Sequence, residues 1–348
     1  MMRWPACLAL LLLGPACSEA ETSKQNIPPW GEVTWPELPA VDVRAAELGR
    51  LLFYDPILGS DGETACATCH SEIWGLSDGL PTSIGVGGGT LTGPGRKGTA
   101  IGPRNAQSLW DVGFRERLFW DGREDSLEDQ ALFPLHSPIE LNKSPEAAVA
   151  DISKIETYVA LFEEAFGQPL PNEDGPVTVG RLQVALAEFQ RTFIADRTSY
   201  DRWVDGDDGA MTDEMIRGMT VLFESGCTTC HAPPLFATDT FHARHGSDDP
   251  GLMAVTRLES DRGRFRTPTL RNIRMSEPYF HDGSVKTLRE AIMLELERDD
   301  VTLSTEDLDA LEAFLGRALV DRSREPFRPK TVPSGLPVPI DGFRVVRP

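Results

Sequence analysis

Cys66-Ala67-Thr68-Cys69-His70 and Cys227-Thr228-Thr229-Cys230-His231 are the two stretches that decide how this chain is read. Two cysteines at this spacing can both add to the vinyl groups of one porphyrin, and the histidine that follows is then held beneath the ring and ligates its iron. A zinc site of four thiolates or a redox-active CxxC uses the same cysteine spacing. A zinc ribbon, however, does not require a histidine directly after each pair, and both pairs have one. The spacing therefore predicts two covalent c-type haems, attached through Cys66, Cys69, Cys227 and Cys230, with His70 and His231 as iron ligands. Leu51-Leu52-Phe53 precedes the first motif and Val221-Leu222-Phe223 the second, so the chain reads as two related units.

Outward from the motifs, the composition is that of a globular protein. The 348 residues suffice for two domains, and 40% hydrophobic with 25% charged residues excludes a disordered or fibrous chain. Lys+Arg is 34 against Asp+Glu 54, a net charge of -20, which argues against nucleic-acid binding and suits basic or neutral partners, or plain solubility. Six cysteines in this length are too few for a disulfide scaffold. The N-terminus reads as an export signal: Arg3, then the apolar run Cys7 to Leu13, far too short to span a bilayer, then Gly14-Pro15-Ala16-Cys17. That last stretch is similar to a lipoprotein cleavage box, with Gly14 replacing the usual leucine, so cleavage without a lipid at Cys17 stays open. The mature protein is expected in the periplasm, tethered if Cys17 is acylated.

Residues 1–17 are thus a signal peptide and 18–40, with Pro28, Pro29, Pro36 and Pro39, an extended tether. Residues 41–190 and 191–322 form the two haem domains, and 323–348, rich in proline, an extended tail. A helix starts near Val43 and runs out before Asp55-Pro56. The segment 85–102 holds eight glycines and reads as a loop; its match to a dinucleotide fingerprint is discounted because no strand precedes it and Pro94 interrupts it. Leu182, Ala185, Leu186, Phe189 and Phe193 mark an amphipathic helix over 179–193. Ser304 caps a helix striped with Leu308, Leu311 and Leu315 that Gly316 is expected to stop. With no long alternating strand pattern, the fold is read as mainly α, two haem units joined by long loops.

The stretches LGRLLFYDPILGSDGETACATCH (48–70), DGLPTSIG (78–85), FWDGREDSLEDQA (119–131), SPIELN (137–142), RFRTPTLRNI (264–273) and EPYFHDGSVKTLREA (277–291) resemble the bacterial di-haem cytochrome c peroxidase and MauG superfamily, over about Leu48 to Leu319. The resemblance implies two cytochrome c-like domains, with peroxide reacting at the first haem and electrons entering through the second. It places a distal carboxylate at Glu140, suited to moving a proton between peroxide oxygens, and an orienting amide at Gln130. His136 lies between them, with a structural role favoured. Trp120 matches the tryptophan between the haems. Asn105, with the carbonyls of Ser276 and Pro278, matches a calcium site, whose oxygens suit a hard cation.

Two departures from that family follow. Where many of its peroxidases have a histidine that ligates the first haem until reduction releases it, this chain has Val86, followed by a loop longer by about ten residues. Valine cannot ligate iron, so an open first site without reductive activation is expected. The second haem's distal ligand, methionine or tyrosine in the family, falls fourteen residues after His281, on Glu295. Met293 is the alternative, but on a helix it lies about 160° from Glu295. Leu288, Ala291, Ile292 and Glu295 share one face, so Glu295 is favoured over Met293, with a vacant site a third option. A hard anionic ligand would lower that haem's potential. His242 and His245 could touch a propionate or iron, and two surface-loop histidines is the favoured reading.

The functions in play are a peroxidase fed by a c-type cytochrome, a MauG-like oxidase of tryptophan or tyrosine in a partner protein, and a non-enzymatic di-haem carrier. The carrier requires two six-coordinate haems, which Val86 opposes.

Overall fold

In the computed structural model, residues 26–37, 40–171, 173–243 and 248–342 are described. The leader expected over 1–17, with Cys17, lies outside them, as does His245. Among the described residues no helix is long and apolar enough to cross a membrane.

The chain is mainly α-helical. The helices are α1 (Val43–Tyr54), α2 (Cys66–Cys69), α3 (Leu127–His136), α4 (Pro145–Ile152), α5 (Glu156–Phe166), α6 (Val179–Gln190), α7 (Ser199–Val204), α8 (Asp213–Glu224), α9 (Met253–Thr256), α10 (Leu288–Arg298) and α11 (Thr305–Ala313). Strand content is slight: β1 (Leu91–Thr92) pairs in parallel with β4 (Ile340–Asp341), and β2 (Phe241–Ala243) antiparallel with β3 (Arg264–Arg266). Hydroxyl and carboxylate caps start most of the longer helices, for their side chains accept the first free backbone N–H groups: Asp42 for α1, Thr178 for α6, Thr287 for α10 and Ser304 for α11. Gly316 does not stop the last of these. After Ala313 the backbone widens into a π turn, Phe314–Ala318, which keeps Phe314, Leu315 and Ala318 in the core.

Two apolar cores form. One gathers Leu48, Leu52 and Phe53 of α1 with Leu182, Leu186 and Phe189 of α6. The other gathers Met219 and Leu222 of α8 with Leu311 and Phe314, and Leu288 and Ile292 of α10. The same device brings each pair of helices together. A Cβ on Gly49 would lie 1.9 Å from Ala185 O and 2.9 Å from the Phe189 Cβ; a Cβ on Gly218 would lie 1.9 Å from Ala310 O and 2.8 Å from the Phe314 Cβ. Only glycine permits backbones that close. The repeat visible around the CxxCH motifs therefore extends to a glycine-mediated crossing ahead of each.

The proline-rich ends are extended, and both are packed. Trp30 joins the second core, its ring 5.9 Å from Tyr200 and 5.8 Å from Phe236. Val332, Leu336 and Val338 of the C-terminal segment pack on the first core. Each end thus docks on the half of the molecule farther from it in sequence.

Candidate functional site

Two clefts hold the motif residues. The N-terminal pocket is lined by Cys66, Cys69 and His70 together with Gln130, Pro134 and Glu140, with about 580 Å³ of space including its mouth. The C-terminal cleft, with about 1660 Å³ including its mouth, takes in Cys227, Cys230, His231, Phe265 and the apolar face of α10. Because the two cysteine pairs line different clefts, they cannot join in one four-thiolate zinc site. Nor are the thiols activated. Burial pushes Cys66 up to about 12 and Cys227 up to about 11, and raises Cys69 as well, whereas redox-active cysteines are held low.

Both histidines are oriented as metal ligands are. The Nδ1 of His70 faces the Leu76 carbonyl at 2.9 Å, and that of His231 faces the Phe236 carbonyl at 3.1 Å. A proton held on Nδ1 by a carbonyl leaves the lone pair on Nε2, the form that binds iron. Burial holds the His70 imidazole below the usual histidine range, against the hydrogen bond the ring donates to the Leu76 carbonyl, and so favours that neutral form. In the larger cleft, Gln107 Nε2, Trp110 Nε1 and Arg115 Nε are buried donors with no hydrogen-bond partner among the described residues. Unpaired buried donors are costly, and three around one cleft suit an occupant with carboxylates, as the haem propionates are. The residues therefore fit a covalent haem in each cleft.

In the same pocket, Gln130 comes from α3 and Glu140 from the turn after it. Burial raises the Glu140 carboxyl above its ordinary range, opposed by a hydrogen bond from Ser137 and the charge of Arg123. Arg123 is held over the Phe119 ring, 3.5 Å from its centroid, and paired with Asp121 at 2.9 Å. His136 ends α3 exposed and does not line the pocket. Among the described residues, His70 is the one histidine that does. Val86 sits beside Glu140: its N–H donates to the Glu140 backbone carbonyl at 2.9 Å. The glycine-rich loop around it is gathered by buried Arg96, whose guanidinium donates to the carbonyls of Ile84, Gly85, Gly89 and Leu91. Sequence reading missed Arg96, since a lone arginine among glycines carries no periodic signal.

Trp120 lines the C-terminal cleft although it precedes the first core's α3 in sequence. Its Nε1 donates to Asn105 O at 3.0 Å. Asn105, Ser276 and Pro278 line that same cleft. The Asn105 amide donates to Leu80 O at 2.7 Å and the Ser276 hydroxyl to Ile273 O at 3.2 Å, so the amide oxygen and the backbone carbonyls are the groups left for a cation. Glu295 lines the cleft, half-buried, with Oε2 2.8 Å from Arg298 Nη1, while Met293 is 52% exposed. His242 is not on a surface loop. It belongs to β2, lines the cleft, and its Nδ1 lies 3.9 Å from Cys230 Sγ. A three-residue strand leaves too little alternation in the sequence to be seen.

The sequence pattern described as di-haem cytochrome c peroxidase matches residues 43–209. The chain is 33% identical to the methylamine utilization protein MauG of Methylorubrum extorquens, over 80% of this chain and 78% of that one. It is 31% identical to the cytochrome c551 peroxidase of Nitrosomonas europaea, over 78% of each. A crystal structure of a MauG-like protein associated with microbial copper homeostasis superposes with a TM-score of 0.71 at 27% identity, covering 88% of this chain and 97% of that one.

Proposed function

This chain belongs to the di-haem cytochrome c peroxidase family and is a haem-dependent oxidoreductase, and from that premise we propose that it is a periplasmic peroxidase that needs no reductive activation. It converts hydrogen peroxide, two electrons and two protons to two waters. A haem held in the N-terminal pocket would supply the redox chemistry of the peroxide reaction. His70 would ligate that haem and His231 the one in the C-terminal cleft. Gln130 orients the peroxide by hydrogen bonding. Glu140 takes the proton from one peroxide oxygen and delivers it to the oxygen that leaves as water. Trp120 carries electrons from the C-terminal side, where a small c-type cytochrome delivers them. Each domain is cytochrome c-like, and one calcium ion sits at Asn105, Ser276 and Pro278.

The observation that carries this reading is that His70 is the one histidine lining the pocket among the described residues, with Val86 where the resemblance puts the removable ligand. The test mixes the all-ferric, haem-loaded protein with peroxide and reduced cytochrome c. Repeated cytochrome oxidation without pre-reduction is expected. A resting spectrum of two low-spin six-coordinate haems, silent until reduced, would sink the proposal.

A second reading, MauG-like oxidation of a partner protein, draws on Glu295 standing at the cleft while Met293 faces water. A carboxylate near the second iron favours its oxidised states. That reading requires an absorbance change with peroxide but slow or absent cytochrome turnover.

A further inference from the structure

Residues 105–112 form a wall between the two clefts. Leu109 lines the N-terminal pocket, whereas Gln107, Ser108 and Trp110 line the C-terminal cleft. The wall is fastened to the turn that orients His70. Ser77 Oγ donates to Ala106 O and Ser108 Oγ to Gly75 O, both at 2.7 Å. Trp120 is tied to the start of the same wall through Asn105 O. One short segment is therefore fastened to the turn that carries the acceptor of His70, Leu76 O, and bears an indole at the second cleft.

That indole, Trp110, is 2% exposed, and its N–H has no acceptor among the described residues. A buried tryptophan usually finds one, and a missing partner is costly. Phenylalanine would fill most of the space without that cost, so packing does not explain the residue. What an indole adds to a phenyl ring is an accessible one-electron oxidation and a donor for the occupant of the cleft.

We propose that Trp110 is a second electron relay between the two haem pockets, parallel to Trp120. The inference rests on the peroxidase reading above. Trp110 gives one electron toward the N-terminal pocket, where peroxide is the oxidant, and is left one electron short. One electron from the C-terminal side, supplied by the donor cytochrome, restores it. Over the cycle the indole is unchanged.

The experiment adds hydrogen peroxide, with no donor, to the haem-loaded protein, freezes it, and records electron paramagnetic resonance. Wild type, W120F and W110F/W120F are compared, each also with ring-deuterated tryptophan. In W120F a radical whose spectrum narrows on deuteration is expected, and it is lost in the double variant. W110Y in the W120F background should replace it with a tyrosyl pattern. Equal signals in W120F and the double variant would overturn the proposal. So would a haem-loaded W110Y/W120F protein without a tyrosyl signal, which covers the case where phenylalanine at 110 fails to fold. If wild type shows no absorbance change with peroxide, the peroxidase reading itself fails. A peroxide reaction whose radical ignores position 110 defeats only the relay.

Discussion

Glu140 has the burial a proton carrier needs and the charge of Arg123 to keep it from becoming a permanent acid. Replacing it by glutamine keeps shape and removes the titrating group, so Glu140→Gln should slow the peroxide reaction about 10²–10⁴-fold at unchanged haem content. Only the carboxylate form accepts a proton. Because burial raises its pKa, the wild-type rate should begin to fall on acidification above the ordinary carboxylate range, and stopped-flow rates against pH would show it. A second buried carboxyl reports on stability. Burial pushes Asp111 from 3.8 to about 6, although its Oδ1 accepts from Ala195 N. A raised folded-state value means that the fold binds the proton more tightly than the unfolded chain does. Its contribution is full below about 3.8 and is lost as pH rises through about 6. Thermal unfolding should therefore occur at lower temperature at pH 8 than at pH 5, and because pH 5 lies only one unit below about 6, Asp111→Asn should remove roughly 1 kcal/mol of that difference. An unchanged slope in the variant would count against the assignment.

At the scale of elements, the glycine crossings are the most exposed to test. Gly49→Ala and Gly218→Ala each set a Cβ 1.9 Å from a helix carbonyl, an overlap relieved only by separating α1 from α6 or α8 from α11. Overpacking of this kind costs about 1–3 kcal/mol. Each substitution should lower the melting temperature and loosen its own cleft, seen as a changed spectrum of that haem alone. A change of both haem spectra from either substitution would mean that the crossings do not act locally. These contacts also mark the limit of what the sequence discloses. Local chemistry was legible: the CxxCH spacing, the Ser304 cap, and the α10 stripe that puts Ile292 inside and Met293 out. Periodicity within one helix needs no knowledge of its partner. Gly49 and Gly218 matter only because of the helix each meets, and the β2 strand of His242 exists only by pairing with Arg264–Arg266. Trp110 and Arg115 escaped notice likewise, because a wall is defined by the cavities on either side of it.

For the whole molecule, the exchanged ends do what neither core does alone. Ser334 Oγ donates to buried Asp55 at 2.6 Å, sharing that carboxylate with Tyr158. Arg328 bridges Glu72 and Asp341 at 2.8 and 2.7 Å, and Asp341 accepts from Ser71, the residue after His70. One residue earlier, Ile340 N donates to Thr90 O at the glycine-rich loop. The C-terminal strap therefore joins the His70 turn to the loop beside Val86 and Glu140. At the other end, Trp30 donates to the Tyr200 hydroxyl at 3.3 Å, and Trp35 covers the buried Arg271 guanidinium at 4.4 Å. Proline lowers the entropy of the free strands, so docking them orders less chain than a flexible linker would. If the ends act on opposite halves, their removal should act on opposite halves as well. Deleting 327–342 should speed hydrogen exchange in α1 and residues 84–96 while sparing α8 and α11. Trp30→Ala, removing a half-buried ring, should cost about 2 kcal/mol and speed exchange in α8 and α11 while sparing α1. Uniform acceleration in either variant would mean that the two cores unfold as one unit, with the ends serving only as general staples.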